Sequence, residues 1–254
     1  MGEAVAGDET LDDLAGGRLR VLQKAKGYRF SLDAILLAHF VRLCPEERVL
    51  EMGTGSGVIA LLLANRWAGV HITGLDVQTG MVEMARKSVM INGLEERIEI
   101  REGDVRDIKN LFPDSCCDAV VANPPYRRKE SGRLNPQREK ALARHEIMGT
   151  AGDFLRAAAH VLKPAGRVFF IYPATRLGEL LCGLREFRLE PKRLRMVHSH
   201  AAGVGKFALV EGLKEGGEEL HVLPPLFIYE ATGGYTEEMG GIFRELSSDG
   251  HGAG

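Results

Sequence analysis

Hydrophobic positions between residues 48 and 173 fall into short runs that are separated by segments with a different spacing. The short runs, rich in β-branched residues, predict five strands, at 48–53, 71–77, 98–104, 118–125 and 167–173. Apolar residues at intervals of three and four predict helices at 58–66, from beyond residue 77 to about residue 92, and at 152–166. Strands that alternate with helices indicate parallel βαβ units with right-handed crossovers.

Further elements flank this alternating region. Upstream, Ser31 is a candidate N-cap, Cys44 and Pro45 are expected to end a helix, and its apolar face comprises Leu32, Ile35, Leu36, Leu37 and Phe40. Downstream of Thr175, another helix and three strands with short turns predict an antiparallel addition to the sheet. The pattern therefore predicts an α/β fold on a mainly parallel sheet with antiparallel C-terminal strands.

The two ends of the chain differ from its centre in composition. Residues 1–17 carry five acidic side chains, four glycines and no basic residue, which predicts a flexible acidic tail. The polar, Gly-rich residues 247–254 predict a disordered tail. Neither a repeat nor a linker interrupts residues 18–246, so we expect a single domain there.

Composition narrows the class of protein. The chain has 44% hydrophobic and 27% charged residues, which is typical of a globular protein and excludes a disordered or fibrous one. No apolar run reaches the ~18 residues of a membrane span, and the acidic start does not look like a signal peptide. The four cysteines lack metal-ligand spacing and indicate reduced thiols. We therefore expect a cytoplasmic protein that binds neither a metal nor a membrane.

The net charge of −2 conceals local concentrations of basic residues. Seven basic residues lie between positions 127 and 144, against two acidic ones. Six more lie between positions 185 and 206, together with His198 and His200. Such clusters are either ordinary solvated faces or sites that neutralise phosphates beside a crevice.

A glycine-rich loop, residues 51–57 with the sequence Glu-Met-Gly-Thr-Gly-Ser-Gly, joins the first of the five strands to its helix. Glycine has no Cβ, so the backbone N–H groups of such a loop can approach a ligand closely. An ordinary tight turn is the alternative. Val58 stands where the dinucleotide fingerprint requires its third glycine, which disfavours a nicotinamide or flavin cofactor.

Acidic residues end the next two predicted strands. Asp76 can accept hydrogen bonds from both hydroxyls of a ribose and Asp104 one from an adenine amine, although each can also be a simple turn or cap residue. The carboxyl ends of parallel strands line one crevice. This succession resembles the class I methyltransferases, which have a Rossmann-like fold with a seven-stranded sheet and use S-adenosylmethionine (SAM). The resemblance implies SAM contacts from Glu51, Gly53, Thr54, Gly55, Gly57, Asp76, Val77, Asp104 and Val105.

The fourth strand ends in the tetrapeptide Asn123-Pro124-Pro125-Tyr126. An exocyclic amine is a poor nucleophile because its lone pair is delocalised. The Asn123 amide oxygen and the Pro124 carbonyl can accept both amine hydrogens, which localises the lone pair, and Tyr126 can stack on a planar base. A strand exit stiffened by proline is the structural alternative. The tetrapeptide resembles the signature of amino methyltransferases that act on adenine, guanine or glutamine amides. The resemblance implies catalytic roles for its four residues and, for Asn123, a contact with SAM as well.

Two flanking segments narrow the resemblance. Residues 27–38 and the Ala-Arg-His-Glu at 143–146 are similar to the bacterial tRNA-Val adenine-37 N6-methyltransferase family, over roughly residues 18–230. The resemblance implies that Phe30, Ser31 and Asp33 close over the methionine end of SAM. It also implies RNA contacts from Arg127, Arg128, Lys129, Arg144 and His145.

The expected reaction is methyl transfer from SAM to the exocyclic amine of an anticodon-loop adenine in tRNA. An unpaired loop base costs less to splay into a pocket than a base in a duplex. Guanine N2 of ribosomal RNA, a protein glutamine amide and a non-catalytic SAM-binding or RNA-binding scaffold are the alternatives. The sequence implies no protein partner, and it leaves open which RNA is modified and the oligomeric state.

Overall fold

A computed structural model describes residues 9–24, 32–125 and 149–248. Its strands are β1 (Glu9–Leu14), β2 (Leu19–Lys24), β3 (Arg48–Met52), β4 (His71–Asp76), β5 (Ile98–Glu102), β6 (Cys117–Ala122), β7 (Leu162–Pro173), β8 (Leu189–His198), β9 (Gly205–Lys214) and β10 (His221–Phe227). Its α-helices are α1 (Leu32–Phe40), α2 (Val58–Arg66), α3 (Thr79–Ile91), α4 (Ile108–Leu111), α5 (Ala151–Val161), α6 (Leu177–Glu186) and α7 (Glu237–Leu246).

The main sheet has eight strands in the order β10-β8-β9-β7-β6-β3-β4-β5. Within the described residues β9 alone runs against the others, because its pairings with β7 and β8 are antiparallel and the remaining pairings are parallel. Two apolar clusters cover opposite faces of the sheet, so Val120 and Val121 in its centre are both fully buried. All five strands of the alternating region are present, and the expected α/β fold with a mainly parallel sheet is confirmed.

The C-terminal region departs from the expectation of seven strands ending in antiparallel ones. β10 is an eighth strand, and it joins the free side of β8 in a parallel direction. The segment after it forms α7, which the pattern did not predict. Thr236 caps this helix by accepting a hydrogen bond from the Met239 N–H at 3.2 Å. Met239, Ile242 and Leu246 are buried in the same apolar cluster as α1 and α2.

Two predicted helices end earlier than expected. α5 stops at Val161 and the chain continues directly into β7, because Pro164 cannot donate a helical hydrogen bond and holds Lys163 in an extended conformation. α1 stops at Phe40, not at Cys44. There the Arg66 guanidinium donates to the carbonyls of Ala38, His39 and Val41, which satisfies the end of the helix.

The segment expected to be a flexible acidic tail contains β1 from residue 9 onward. β1 pairs with β2 in an antiparallel hairpin that lies on α3. The Leu22 N–H donates to Ser88 Oγ at 3.0 Å, and Val21 is fully buried. The acidic residues of β1 gave no strand pattern, and Leu14 is its only buried residue. Residues 1–8 and 249–254, the rest of the two expected tails, lie outside the described residues.

The longest of the described helices, α3, has 13 residues. None of the helices in the described ranges combines the length and the apolar character that a membrane crossing requires.

Candidate active site

Four neighbouring parallel strands end side by side at what we call the carboxyl edge of the sheet. In space their order is β6, β3, β4 and β5, so the segments that follow them meet there. The opposite end, where the same strands begin, is the amino edge. In an open α/β sheet, ligands bind outside the carboxyl ends of the strands.

The glycine loop after β3 has a backbone that favours glycine. Gly53, Gly55 and Gly57 have φ angles of 75°, 56° and 85°, in the left-handed region that side chains with a Cβ rarely adopt. The N–H groups of Gly53 and Thr54 both donate to the Leu75 carbonyl, at 2.8 and 3.0 Å. These hydrogen bonds tie the loop to the end of β4. The backbone shape of the loop requires the three glycines of the motif that is predicted to bind the cofactor.

Glu51, the last residue but one of β3, is only 1% exposed. Its Oε2 accepts hydrogen bonds from Thr54 Oγ1 at 2.7 Å and from the Ala60 N–H at 3.0 Å. Burial raises the pKa of this carboxyl to about 8, so it is largely protonated at neutral pH. Its Oε1 is buried and has no hydrogen-bond partner among the described residues. A positively charged ligand group beside Oε1 would favour the ionised form of this carboxyl, so the position suits a ligand that brings a positive charge.

Asp76, at the end of β4, holds two loops together. Its Oδ2 accepts from the Gly55 N–H and its Oδ1 from the Gln78 N–H, both at 2.9 Å. The carboxyl is 3% exposed, and burial raises its pKa above the ordinary value. Each carboxylate oxygen can accept a further hydrogen bond, so the pair can still receive two hydroxyl groups.

Asp104 begins the short 3-10 turn after β5 and is already engaged by the protein. Its Oδ1 accepts from the Arg106 N–H at 2.8 Å, and both oxygens accept from the Arg106 guanidinium. Hydrogen bonds from Arg106 hold the pKa of Asp104 below its ordinary value. The carboxylate is therefore ionised and oriented, and it retains acceptor capacity toward a ligand.

A cleft with about 250 Å³ of open space lies where these loops meet. Five of the residues that line it are predicted SAM contacts: Gly53, Asp76, Val77, Asp104 and Val105. Leu75, Gly103 and Phe154 also line it. The sequence patterns gave no signal for Phe154, because it comes from α5, a helix whose apolar face serves the core. A Cβ on Gly103 would lie 2.6 Å from a Leu111 methyl group, so glycine there is a packing requirement.

Asn123 follows β6 directly, on the other side of β3 from Asp76. Its Nδ2 donates to Asp33 Oδ2 at 3.0 Å. Its Oδ1 is buried and has no hydrogen-bond partner in the described part of the chain. Pro124 and Pro125 follow it and bring no N–H groups. The site therefore presents an amide oxygen without competing donors from these two residues.

Asp33, predicted as a SAM contact, lies on α1 and is 2% exposed. In the structure its side chain contacts Asn123. Eight other residues with expected roles lie outside the described ranges, and their roles stay predictions: Phe30, Ser31, Tyr126, Arg127, Arg128, Lys129, Arg144 and His145.

The second basic cluster, residues 185–206, does not face the crevice as a unit. β8 runs from the amino edge to the carboxyl edge, so Arg185 and Arg188 lie at the edge opposite Asn123. Arg185 approaches Glu190 at 3.3 Å, and Arg188 approaches Glu215 at 4.0 Å. This part of the cluster is an ordinary set of surface ion pairs. The members at the carboxyl edge are His198, His200 and Lys206.

Comparison with known proteins agrees with this geometry. Residues 49–133 match the family model described as Methyltransferase domain. A predicted O-methyltransferase from Agrobacterium tumefaciens superimposes with a TM-score of 0.70 at 21% identity, over 87% of this chain and all of that one. The Pyrococcus horikoshii protein TYW2, in complex with MeSAdo, gives a TM-score of 0.58 at 14% identity, over 83% of this chain and 73% of that one. At these identities the likeness shows the fold, and the expected class I methyltransferase fold is confirmed.

A curated relative carries the comparison further. The tRNA1(Val) (adenine(37)-N6)-methyltransferase of Porphyromonas gingivalis is 30% identical over 188 residues, which are 72% of this chain and 73% of that protein. The family resemblance expected from the motifs is thus confirmed. The protein is a SAM-dependent methyltransferase, and it belongs to the tRNA1(Val) (adenine(37)-N6)-methyltransferase family.

Proposed function

We propose that the protein transfers the methyl group of SAM to N6 of the unpaired adenine at position 37 of a tRNA anticodon loop. The observation that carries the proposal is the buried Asn123 Oδ1, which lacks a hydrogen-bond partner among the described residues and is followed by two prolines. Its family relatives are named for this reaction.

The residues at the carboxyl edge fit SAM. The left-handed glycine loop has no Cβ at three positions, so its backbone can lie close to the methionine portion, and the buried Glu51 carboxyl can ionise beside the ammonium group of SAM. Asp76 can receive the ribose hydroxyls, and Val77, Asp104 and Val105 line the cleft where an adenine would lie. When bound, SAM supplies an electrophilic methyl group on a sulfonium centre.

The chain's own contribution to the transfer is orientation and hydrogen-bond acceptance. Asn123 Oδ1 and the Pro124 carbonyl accept the two hydrogens of the adenine amine, which localises the nitrogen lone pair and aims it at the methyl group. No strong base is required, because the methylated nitrogen is cationic and loses its proton readily. Tyr126 stacks on the adenine, and the basic run between residues 127 and 144 holds the phosphates.

Replacing the amide tests the proposal. Asn123→Ala removes the acceptor, and we expect kcat to fall by about 10²–10³-fold, as for the loss of one preorganised hydrogen-bonding group. The dissociation constant of SAM is expected to stay within about threefold of wild type, since Asn123 contacts the acceptor amine. Labelled SAM and purified tRNA report the rate, and nucleoside analysis of digested tRNA identifies N6-methyladenosine.

Parallel assays with ribosomal RNA and with a release-factor protein give the contrary outcomes. If guanine in ribosomal RNA or a glutamine amide is methylated instead, the proposed acceptor is wrong and that group takes the place of adenine. Wild-type activity in the Asn123→Ala variant would remove the catalytic site from this edge altogether.

A further inference from the structure

Asp33 and Asn123 are 90 positions apart in the sequence and form a buried pair. Asp33 lies in the first turn of α1, and its side chain is shielded from solvent. Its Oδ2 accepts a hydrogen bond from Asn123 Nδ2 at 3.0 Å, and its Oδ1 accepts one from the Ala34 N–H at 3.2 Å. The carboxylate is therefore held by its own helix while it contacts the residue after β6.

An asparagine amide has two different ends, and only the oxygen can accept a hydrogen from an adenine amine. Rotation of the amide by half a turn would present the NH₂ group to the substrate, where it would oppose the amine hydrogens. Something must therefore select one orientation of Asn123 before the substrate arrives. An ionised carboxylate accepts hydrogen bonds but cannot donate them, so Asp33 can pair with the NH₂ end alone.

We propose that Asp33 is a positioning residue for methyl transfer: it fixes the amide of Asn123 so that Oδ1 faces the target amine. The proposal rests on the proposed function of Asn123. It differs from the sequence expectation, in which Asp33 contacts the cofactor. A serine or an asparagine at position 33 would lack the same selectivity, because hydroxyl and amide groups both donate and accept.

The proposal predicts a loss in kcat without a matching loss of SAM affinity. Asp33→Leu replaces the carboxylate with a branched apolar side chain that cannot accept a hydrogen bond, and kcat is expected to fall by about 10²-fold. Asp33→Asn keeps an acceptor but permits both orientations of Asn123, so kcat is expected to fall by only about 2- to 10-fold, as the competent fraction shrinks. The dissociation constant of SAM is expected to change by less than about threefold in both variants.

A matched control is available on the same strand. Asp118 lies at the amino end of β6 and accepts hydrogen bonds from the Arg48 N–H at 2.9 Å and from Lys163 Nζ at 2.6 Å. Asp118→Asn also loses carboxylate interactions, but its effect on kcat is expected to be under about threefold because the site lies far from Asn123. If all three variants lose activity in proportion to stability, Asp33 has only a structural role.

Reversal of the pair separates positioning from packing. Asn123→Asp alone places two carboxylates about 3 Å apart, where both cannot be ionised, and its activity is expected to be low. The double variant Asp33→Asn with Asn123→Asp restores a donor facing an acceptor and again leaves a carboxylate oxygen for the amine. It is expected to regain at least tenfold in kcat over Asn123→Asp. Absence of rescue would overturn the proposal.

A spectroscopic measurement on the full chain keeps this proposal distinct from the proposed function. With ¹⁵N-labelled asparagine, the side-chain signals of Asn123 are assigned by their loss in Asn123→Ala. They are expected to shift and to exchange faster with water in Asp33→Leu and to stay unchanged in Asp118→Asn. An unchanged Asn123 signal in Asp33→Leu would contradict the pairing. A perturbed signal together with a wild-type protein that methylates no adenine in tRNA would refute the proposed function and leave the pairing intact. Loss of SAM binding in both Asp33 variants would overturn the positioning role and would support the original expectation that Asp33 contacts SAM.

Discussion

The two edges of the main sheet use their polar residues in opposite ways. At the amino edge the acidic groups are satisfied within the protein. Glu47 accepts hydrogen bonds from the Arg167 guanidinium and from the Cys44 N–H, and Asp118 accepts from Lys163 and from a backbone N–H. These contacts connect the starts of β3, β6 and β7, and each of the two carboxylates is paired with a cationic side chain of the protein, so they stabilise the fold.

At the carboxyl edge the same strands end in polar groups that the described residues satisfy only in part. Glu51 and Asn123 each keep one buried oxygen without a partner in those residues. Burial also raises the pKa values of Glu51 and Asp76. Unpartnered buried polar atoms cost stability, and native proteins retain them where a ligand or substrate completes the hydrogen bonding. The contrast assigns stability to one edge and chemistry to the other.

The strongest test compares an aspartate from each edge. Asp76→Ala leaves the partly buried Gly55 and Gln78 N–H groups without their acceptor and removes the proposed ribose contact. We expect the dissociation constant of SAM to rise by about 10²-fold, since a hydrogen bond to a charged group contributes about 1.5–3 kcal/mol. Asp118→Asn is expected to lower stability by about 1–2 kcal/mol and to leave SAM affinity within about threefold. Calorimetric titration with SAM measures the affinity of each variant, and urea unfolding measures its stability. Similar SAM affinities in the two variants would contradict the contrast between the two edges.

A second test uses the protonated state of Glu51. Its folded pKa is about 8, above the ordinary value of 4.5. Between these values the unfolded carboxyl is ionised while the folded one keeps its proton, so the unfolded state is favoured as pH rises. Wild-type stability should therefore fall relative to Glu51→Gln from about pH 5 to about pH 8, by at most about 1.4 kcal/mol per pH unit, and then level off.

Urea unfolding of both proteins across this window gives the difference in free energy of unfolding. The glutamine keeps an acceptor for Thr54 and Ala60, so the fold is expected to persist. A difference that does not change with pH would mean that Glu51 is ionised in the folded protein and that the two edges are electrostatically alike.

Sequence patterns predicted the centre of the molecule better than its periphery. The strands β3, β4 and β6 each bury a run of apolar residues, and Gly53, Asp76 and Gly103 mark the ends of β3, β4 and β5, so the order of these elements followed from spacing. The hairpin of β1 and β2 was missed because five acidic residues and four glycines give residues 1–17 the composition of a flexible tail, and three of those acidic residues lie in β1. The positions of β10 and α7 depend on which strand of the assembled sheet has a free side, and local sequence spacing does not contain that information.

The candidate site was predictable to a similar degree. The glycine loop, Asp76, Asp104 and Asn123 were found from motifs because each lies at the end of a strand. The contact between Asp33 and Asn123 was not, since it joins α1 to β6 across 90 positions. The sequence also left two interpretations open for the second basic cluster, a solvated face and a phosphate site. Arg185 and Arg188 form surface ion pairs, because the direction of β8 places them at the amino edge.

The smallest expected effect concerns the contact between the hairpin and α3, which lies away from the carboxyl edge. Ser88 Oγ accepts from the Leu22 N–H at 3.0 Å and donates to the Met84 carbonyl at 2.9 Å, and Ser88 is fully buried. Ser88→Ala leaves the Leu22 N–H without its acceptor, so stability should fall by about 1–2 kcal/mol. Ser247→Ala is a matched control, because its Oγ donates to the Phe243 carbonyl at 2.7 Å near the end of α7 and the variant should stay within about 0.5 kcal/mol. Urea unfolding compares the two, and SAM titration is expected to give wild-type affinity for both. A weaker affinity in Ser88→Ala would show that the hairpin supports the carboxyl edge, and the division between stability and chemistry would then not hold for the hairpin.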